Sequence, residues 1–285
     1  MPAPAGRAVR TAAYATLSRI APTRIAELSK RRSGRLLLRG VQYLLGRGEV
    51  TITAGAAGRL LLDSSHLPVG HPLGYGLVRG VVEPSVQEAL RRNVAPGMTV
   101  YDIGADIGFF SILSARLTGP RGRVEAFEPV PGSAAAIRAN AALNGFENVH
   151  VHPVAVGERD HIETLLVPAN RSWSHLAGRG THPDTRQRDE VAVIRLDDRV
   201  DRGLLPPPDV VKIDVEGSEG AVLRGMERTL GSRPVVVVCE LHGTNAEVGE
   251  LLSDMGYTVE NLDGTTPVRD AGPTHLLARP AQTGS

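Results

Sequence analysis

From Met98 onward the apolar positions fall into short β-rich runs separated by stretches of helical spacing. The runs cover 99–103, 123–127, 149–151, 210–213, 235–239, 258–262 and 275–278, and the helical stretches cover 109–118, 131–144, 218–229 and 245–255. Strands alternating with helices of this length pair in parallel through crossovers, so the pattern predicts a doubly wound, mostly parallel α/β sheet. Only a short turn region separates 258–262 from 275–278, and these two runs are expected to pair antiparallel. Two further β-rich runs, 163–167 and 191–196, flank a polar loop at 171–189 and are expected to form a side hairpin.

Ahead of this alternation the pattern is different. Residues 7–46 show helical spacing broken at Ala21-Pro22 and Ser33-Gly34, and 50–54 and 59–63 alternate about Gly55-Ala56-Ala57-Gly58 as a β-hairpin. A Gly/Pro/His-rich stretch, 64–80, reads as a loop able to face a ligand, and 83–93 as a helix with Pro84 in its first turn. The expected partition is an accessory cap at 1–82, comprising a basic helical segment, the hairpin and the loop. A catalytic domain follows at 83–279, with a frayed tail at 280–285. At 285 residues and 41% hydrophobic content, one substantial core suffices.

Charge changes this picture locally. The formal net charge of +1 gives no electrostatic footprint for nucleic acid, so no nucleic-acid partner is expected. Yet Arg7, Arg10, Arg19, Arg24, Lys30, Arg31, Arg32, Arg35, Arg39 and Arg47 face the lone acid Glu27 in the first 48 residues. That segment has three readings: a cap shaping an acceptor pocket, which is favoured, a dimerisation element making a homo-oligomer, or an attachment to anionic lipid. Cys239 is the only cysteine, so no intrachain disulfide forms and a reducing compartment suits the chain. No apolar run reaches the ~18 residues of a spanning helix, and a cytoplasmic location is expected.

The chemistry concentrates at Val100-Tyr-Asp-Ile-Gly-Ala-Asp-Ile-Gly-Phe-Phe110, where a strand ends in an acid and passes through a glycine turn into a helix. Gly104 and Gly108 let the backbone approach a ligand, as at the first crevice of doubly wound sheets. A nicotinamide dinucleotide is the competing ligand. The G-x-G-x-x-G spacing is absent, however, and Asp102 and Asp106 would repel its pyrophosphate while tolerating a sulfonium and an ammonium. At the end of the next strand, Glu128 in Phe127-Glu-Pro129 is placed to accept both hydroxyls of a ribose.

These residues resemble the FkbM-type branch of the class I S-adenosylmethionine-dependent methyltransferases. The resemblance covers about 83–257 and rests on Asp102-Ile-Gly-Ala-Asp-Ile-Gly-Phe-Phe-Ser111, Phe127-Glu-Pro129, Asn140 to Asn144, Val154-Ala-Val-Gly157, Lys212-Ile-Asp-Val-Glu-Gly-Ser-Glu219 and Glu240-Leu-His242, in the family's order and approximate spacing. It implies a Rossmann-like, seven-stranded sheet with an antiparallel final strand. It also implies that the turn residues Asp102, Gly104, Ala105, Asp106, Gly108 and Phe109 hold the methionine portion of S-adenosylmethionine. Glu128 and Pro129 hold the ribose, Val154 and Ala155 lie near the adenine, and Asp214 flanks the cofactor. Asp106 stands where the family often carries asparagine.

Asp214 and Glu216 follow the fourth strand and are expected at the carboxyl edge of the sheet, where ligands bind. Either could orient the acceptor, balance the sulfonium, or bind a divalent metal with Glu240. Glu240 and His242 fall on one side of a strand end, and His242 is the natural general base for a hydroxyl proton. Glu219 is expected to cap the helix start and Lys212 to pair with a nearby carboxylate. Trp173, Ser174 and His175 border the acceptor pocket in resembling proteins. The expected reaction is an in-line methyl transfer to a hydroxyl of a small molecule, sugar or secondary metabolite. A nicotinamide oxidoreductase and a non-catalytic interaction module are the alternatives.

Overall fold

A computed structural model describes residues 4–17, 48–67, 72–168, 175–176 and 185–281. Helix α1 (Pro4–Leu17) leads to the hairpin β1 (Glu49–Thr51) and β2 (Leu61–Asp63), then to α2 (Pro72–Arg79) and α3 (Pro84–Asn93). The alternating part follows as β3 (Thr99–Ile103), α4 (Phe109–Thr118), β4 (Arg123–Phe127), α5 (Pro131–Leu143) and β5 (Val149–His152). Next come β6 (Ala155–Val156), β7 (His161–Pro168), β8 (His175–Leu176), β9 (Thr185–Ile194) and α6 (Leu196–Asp201). The chain continues as β10 (Val210–Ile213), α7 (Glu219–Arg224), α8 (Glu227–Ser232), β11 (Val236–Leu241), α9 (Asn245–Asp254), β12 (Tyr257–Asn261) and β13 (Thr274–Pro280).

The central sheet has seven strands in the order β12-β13-β11-β10-β3-β4-β5, with β13 antiparallel to both neighbours. From β3 the chain steps outward through β4 to β5, whereas β10 and β11 build on the other side. The direction of winding therefore reverses between β3 and β10, and a crevice opens beyond their carboxyl ends. Strand β10 is buried at every position, as a sheet covered on both faces requires. Beside this sheet lies a smaller one, β6-β9-β7-β8, whose β7–β9 pairing is antiparallel. The expected side hairpin is thus part of a larger unit.

The hairpin forms as expected, with Val50 opposite Leu62. Its residues share one core with the sheet: Tyr14, Val50, Leu62 and Leu77 cluster with Val100, Ile112 and Val238. Polar contacts reinforce this join. Gln87 on α3 accepts from the Ala56 amide at 2.9 Å and donates to the Val82 carbonyl at 2.6 Å, while Asn140 on α5 accepts from the Asp63 amide at 2.7 Å.

Four expectations are corrected. Within 64–80, Ser64–His66 is a short 3-10 turn and Pro72–Arg79 is a helix despite Gly74 and Gly76. Burial of Leu77 and Val78 outweighs the poor propensity. The single helix expected at 218–229 is two, parted at Gly225, where a Cβ would strike the Gly157 carbonyl. The polar stretch 171–189 supplies the first half of β9, and α6 follows at Leu196. The buried Asp197 of α6 accepts from the Thr229 amide and hydroxyl at 2.9 and 2.8 Å, securing α8. Finally, Pro280 belongs to β13, opposite Tyr257, and not to a frayed tail. The helical segments expected over 18–46 lie outside the described residues.

Candidate active site

The first wall of the crevice is built mainly by backbone. After β3 the chain turns at Gly104 (φ 76°), and the amides of Gly104 and Ala105 both donate to the Phe127 carbonyl, at 2.9 and 3.1 Å. Only glycine serves at 104, because a Cβ would run into the Asp214 carbonyl at the end of β10. Asp106 is also left-handed (φ 47°), a conformation that Asp and Asn tolerate better than other side chains. Its amide donates at 2.9 Å to Glu128 Oε2, and the Val130 amide donates at 2.8 Å to Oε1. Each carboxylate oxygen thus takes one backbone donor and keeps a lone pair for a ligand. Glu128 is 6% exposed; burial, then the nearby Asp106, push its carboxyl up to about 8 against those two donors.

The opposite wall is built by side chains from the ends of β10 and β11. Lys212, buried on β10, reaches Asp214 Oδ2 at 3.1 Å and Asp102 Oδ1 at 3.7 Å and sits 5.0 Å over the Phe110 ring. Burial opposes its charge, but Asp214, Asp102 and Glu83 outweigh that and hold its pKa above the ordinary lysine value. Asp102 is buried beneath the turn, bonded to Ser111 Oγ at 2.5 Å; burial raises its pKa against Lys212 and Ser111.

Glu219 opens α7 but points inward, fully buried. It accepts from the Gly217 amide at 2.9 Å and from Thr244 Oγ1 at 2.7 Å, and its Oε1 lies 2.9 Å from His242 Nδ1. The other nitrogen, His242 Nε2, faces Glu240 Oε1 at 3.5 Å and Glu216 Oε2 at 3.6 Å. Burial works against charge on this ring, yet Glu219 and Glu240, followed by Glu216 and Asp214, raise it to about 11. Both His242 nitrogens thus face carboxylates, which favour the charged ring over the neutral proton acceptor expected from sequence. Glu216 takes a left-handed backbone (φ 51°); burial, opposed by His242 and reinforced by Asp214 and Glu240, lifts its carboxyl to about 7.

Between the walls lies a cleft of about 240 Å³. Of the residues expected at a cofactor, Gly104, Ala105, Asp106, Phe109, Glu128, Pro129, Val154, Ala155 and Asp214 line it, and Glu216 and Glu240 reach it from the far side. Asp102, Gly108 and His242 stand behind that lining: Asp102 braces the turn and Gly108 packs against Ile137. Trp173 and Ser174 lie outside the described residues, and His175 opens β8. Sequence reasoning missed a third side made by Leu73, Leu77, Val82 and Glu83 from the N-terminal region and by Leu165 and Leu176 from the side sheet. The only signal for it was the placing of 64–80 beside a ligand.

Among the described residues the lining carries the acids Glu83, Asp106, Glu128, Asp214, Glu216 and Glu240 against the single cation Lys212, whose ammonium is already paired. This donor set repels a pyrophosphate and fits a ligand bearing a sulfonium, an ammonium and a ribose. Among the described residues two groups could hold a metal ion: the ligand-type atoms of Asp214, Glu240 and His242 lie within 4.8 Å of one another, as do those of Glu83, Glu240 and His275. In the first group Asp214 is already paired with the Lys212 ammonium at 3.1 Å.

Residues 102–262 match the family described as the methyltransferase FkbM domain. The chain is 32% identical over 201 residues to the 31-O-demethyl-FK506 methyltransferase FkbM of Streptomyces tacrolimicus, covering 59% of this chain and 75% of that protein. It is 29% identical over 181 residues to the hexuronic acid methyltransferase AglP of Haloferax volcanii, covering 62% and 71%. Among solved structures, a methyltransferase FkbM from Methylobacillus flagellatus aligns with a TM-score of 0.45 and 19% identity over 72% of this chain and 53% of that one. No helix among the described residues is long and apolar enough to cross a membrane.

Proposed function

We propose that this chain, which belongs to the FkbM methyltransferase family, transfers a methyl group from S-adenosylmethionine to a hydroxyl oxygen of a small molecule or sugar. The observation that carries the oxygen reading is Glu216, a carboxyl held up at about 7 on the cleft wall opposite Glu128. A hydroxyl gives up its proton as it is methylated, and a base is most effective when its pKa lies near the working pH. Support also comes from a relative whose name specifies an O-demethyl substrate and from a second named for a hexuronic acid.

When bound, S-adenosylmethionine supplies a methyl group on a positively charged sulfur, open to in-line displacement. The rest falls to the chain's own residues. Glu128 accepts the ribose hydroxyls with its two free lone pairs, and the Gly104 turn gives the amino-acid end close access to the backbone. Val154, Ala155 and Pro129 supply apolar surface for the adenine. Asp214, fixed by Lys212, faces the cationic centre. Glu216 receives the acceptor proton, and His242, locked by Glu219, positions the Glu216 and Glu240 carboxylates. Leu73 and Leu77 of α2 cap the acceptor side. The enclosure excludes water and holds the reacting atoms in line, the main source of rate in a direct displacement.

Calorimetric titration with S-adenosylmethionine, S-adenosylhomocysteine and NADH tests the first step, and binding of the first two alone is expected. Mass spectrometry after incubating hydroxylated acceptors with methyl-labelled cofactor then tests the second. Binding of NADH alone, or of none, would sink the proposal.

A further inference from the structure

We infer that Glu83, Glu240 and His275 form a binding site for a divalent metal cation, with Asp263 as the carboxylate that orients the histidine. The three residues come from distant parts of the chain: Glu83 just before α3, Glu240 near the end of β11 and His275 at the start of β13. The register that sets Glu240 opposite His275 brings the last two together.

Asp263 Oδ2 lies 2.6 Å from His275 Nδ1. It is itself held, accepting from the His275 amide at 2.8 Å, while Asp263 Oδ1 accepts from Ser85 Oγ at 2.7 Å. With Nδ1 held by Asp263, His275 Nε2 is turned to the other side, the arrangement that accompanies most metal-ligating histidines. Burial opposes charge on the ion-free ring, but Glu240, Glu83 and Asp263 hold it up at about 10, so a cation binds in exchange for the Nε2 proton. That nitrogen faces Glu83 Oε2 at 3.6 Å and Glu240 Oε2 at 3.8 Å.

Both His275 Nε2 and Glu83 Oε2 are buried and have no hydrogen-bond partner. A ring nitrogen and two carboxylates therefore converge with no hydrogen bond of good geometry between them. The distance from Nε2 to either oxygen exceeds the ~3.2 Å limit of a good N–H···O bond. Ligand atoms ~2.0–2.2 Å from a tetrahedral cation stand about 3.3–3.6 Å apart, close to the spacings here.

The mixed nitrogen and oxygen set suits Mn²⁺ or Zn²⁺. Glu83 and Glu240 line the cleft, so the cation's remaining positions face the acceptor side, where they can take an acceptor oxygen. That role rests on the proposed methyl transfer, but the binding itself does not. The site would also tie the start of α3 to the sheet.

The test uses the full chain, stripped with chelator and titrated with Mn²⁺ while free aquo-Mn²⁺ is read by electron paramagnetic resonance, then with Zn²⁺ by calorimetry. One equivalent is expected to bind. His275→Gln and Glu83→Gln should each weaken it at least ~10-fold, and Asp263→Asn by roughly 10- to 100-fold, as for other outer-shell carboxylates. Should His275→Gln fail to fold, Glu83→Gln carries the test. Absence of saturable binding of either ion would overturn the site, as would binding that survives His275→Gln and disappears in His242→Gln. A failed cofactor titration would count against methyl transfer and leave this result standing.

Discussion

The two walls of the cleft are made by different means. The wall at β3 and β4 comes from one contiguous stretch, residues 102–130, and consists of backbone turns and two acids, Asp106 and Glu128. Most of its polar groups are matched: the Gly104 and Ala105 amides share the Phe127 carbonyl and both Glu128 oxygens take a backbone donor, while Asp102 Oδ1 beneath the turn has only the Lys212 ammonium, 3.7 Å away. The wall at β10, β11 and β13 gathers Glu83, Asp214, Glu216, Glu240 and His275 from across the chain and leaves buried atoms without partners. A backbone wall sets shape whether or not a ligand is present. A side-chain wall of crowded like charges stores its response for protons and ligands, and that is where reactivity and acceptor choice belong.

The largest effect expected from breaking this contrast is on the reactive wall. Glu216→Gln should lower kcat by roughly 10²–10⁴ while leaving cofactor affinity near its original value. In the parent protein the rate should rise with pH through about 7, because the ionised carboxyl is the form that accepts a proton. A variant that kept this profile would move the base elsewhere.

On the backbone wall, Gly104→Ala should destabilise the fold by about 1–3 kcal/mol from the left-handed φ alone, with a further cost from the Asp214 carbonyl. Thermal unfolding would show it, and the same melt should be nearly unchanged in Glu216→Gln. An unshifted melt for Gly104→Ala would mean that the turn is less rigid than its contacts imply.

Glu128→Ala should weaken S-adenosylhomocysteine binding by about 1.5–3 kcal/mol through lost charge-assisted hydrogen bonds, read by calorimetry. Glu128 also sharpens the comparison through pH. Its folded-state carboxyl, at about 8, lies above the ordinary 4.5, so between those values the folded chain binds a proton that the unfolded chain has released. Its contribution to stability therefore declines as pH rises from 4.5 to 8. Urea melts of Glu128→Gln should lack that decline. Ionisation over the same range should favour ribose binding, so cofactor affinity should climb as stability falls.

The smallest effect is expected at Ser218→Ala. Ser218 lines the cleft, and its buried Oγ has no partner, so its loss should change stability by less than about 1 kcal/mol. A raised KM would instead place that hydroxyl on a ligand.

Much of this was legible in the amino-acid sequence. The runs at 99–103, 123–127 and 210–213 and the helix at 109–118 match their structural elements because apolar periodicity and glycine or proline punctuation agree at each. The residues of the backbone wall were readable for the same reason: a turn and the next strand end are neighbours in sequence. Pro72–Arg79 was not, since its glycines argue against a helix that only burial of Leu77 and Val78 makes stable. Nor was the state of His242, because the three carboxylates that charge it arrive from two strand ends and a helix start.

The sequence by itself thus determined the alternating sheet, the glycine turn at 104 and the acid at 128, all of them local consequences of backbone conformation and spacing. Only the tertiary structure decided that β13 inserts beside β11, that Glu83 faces His275, and that Glu216, Glu219 and Glu240 surround His242. Those depend on burial and on charges brought together from distant residues, and a pKa is set by such neighbours and not by the identity of the residue that carries it.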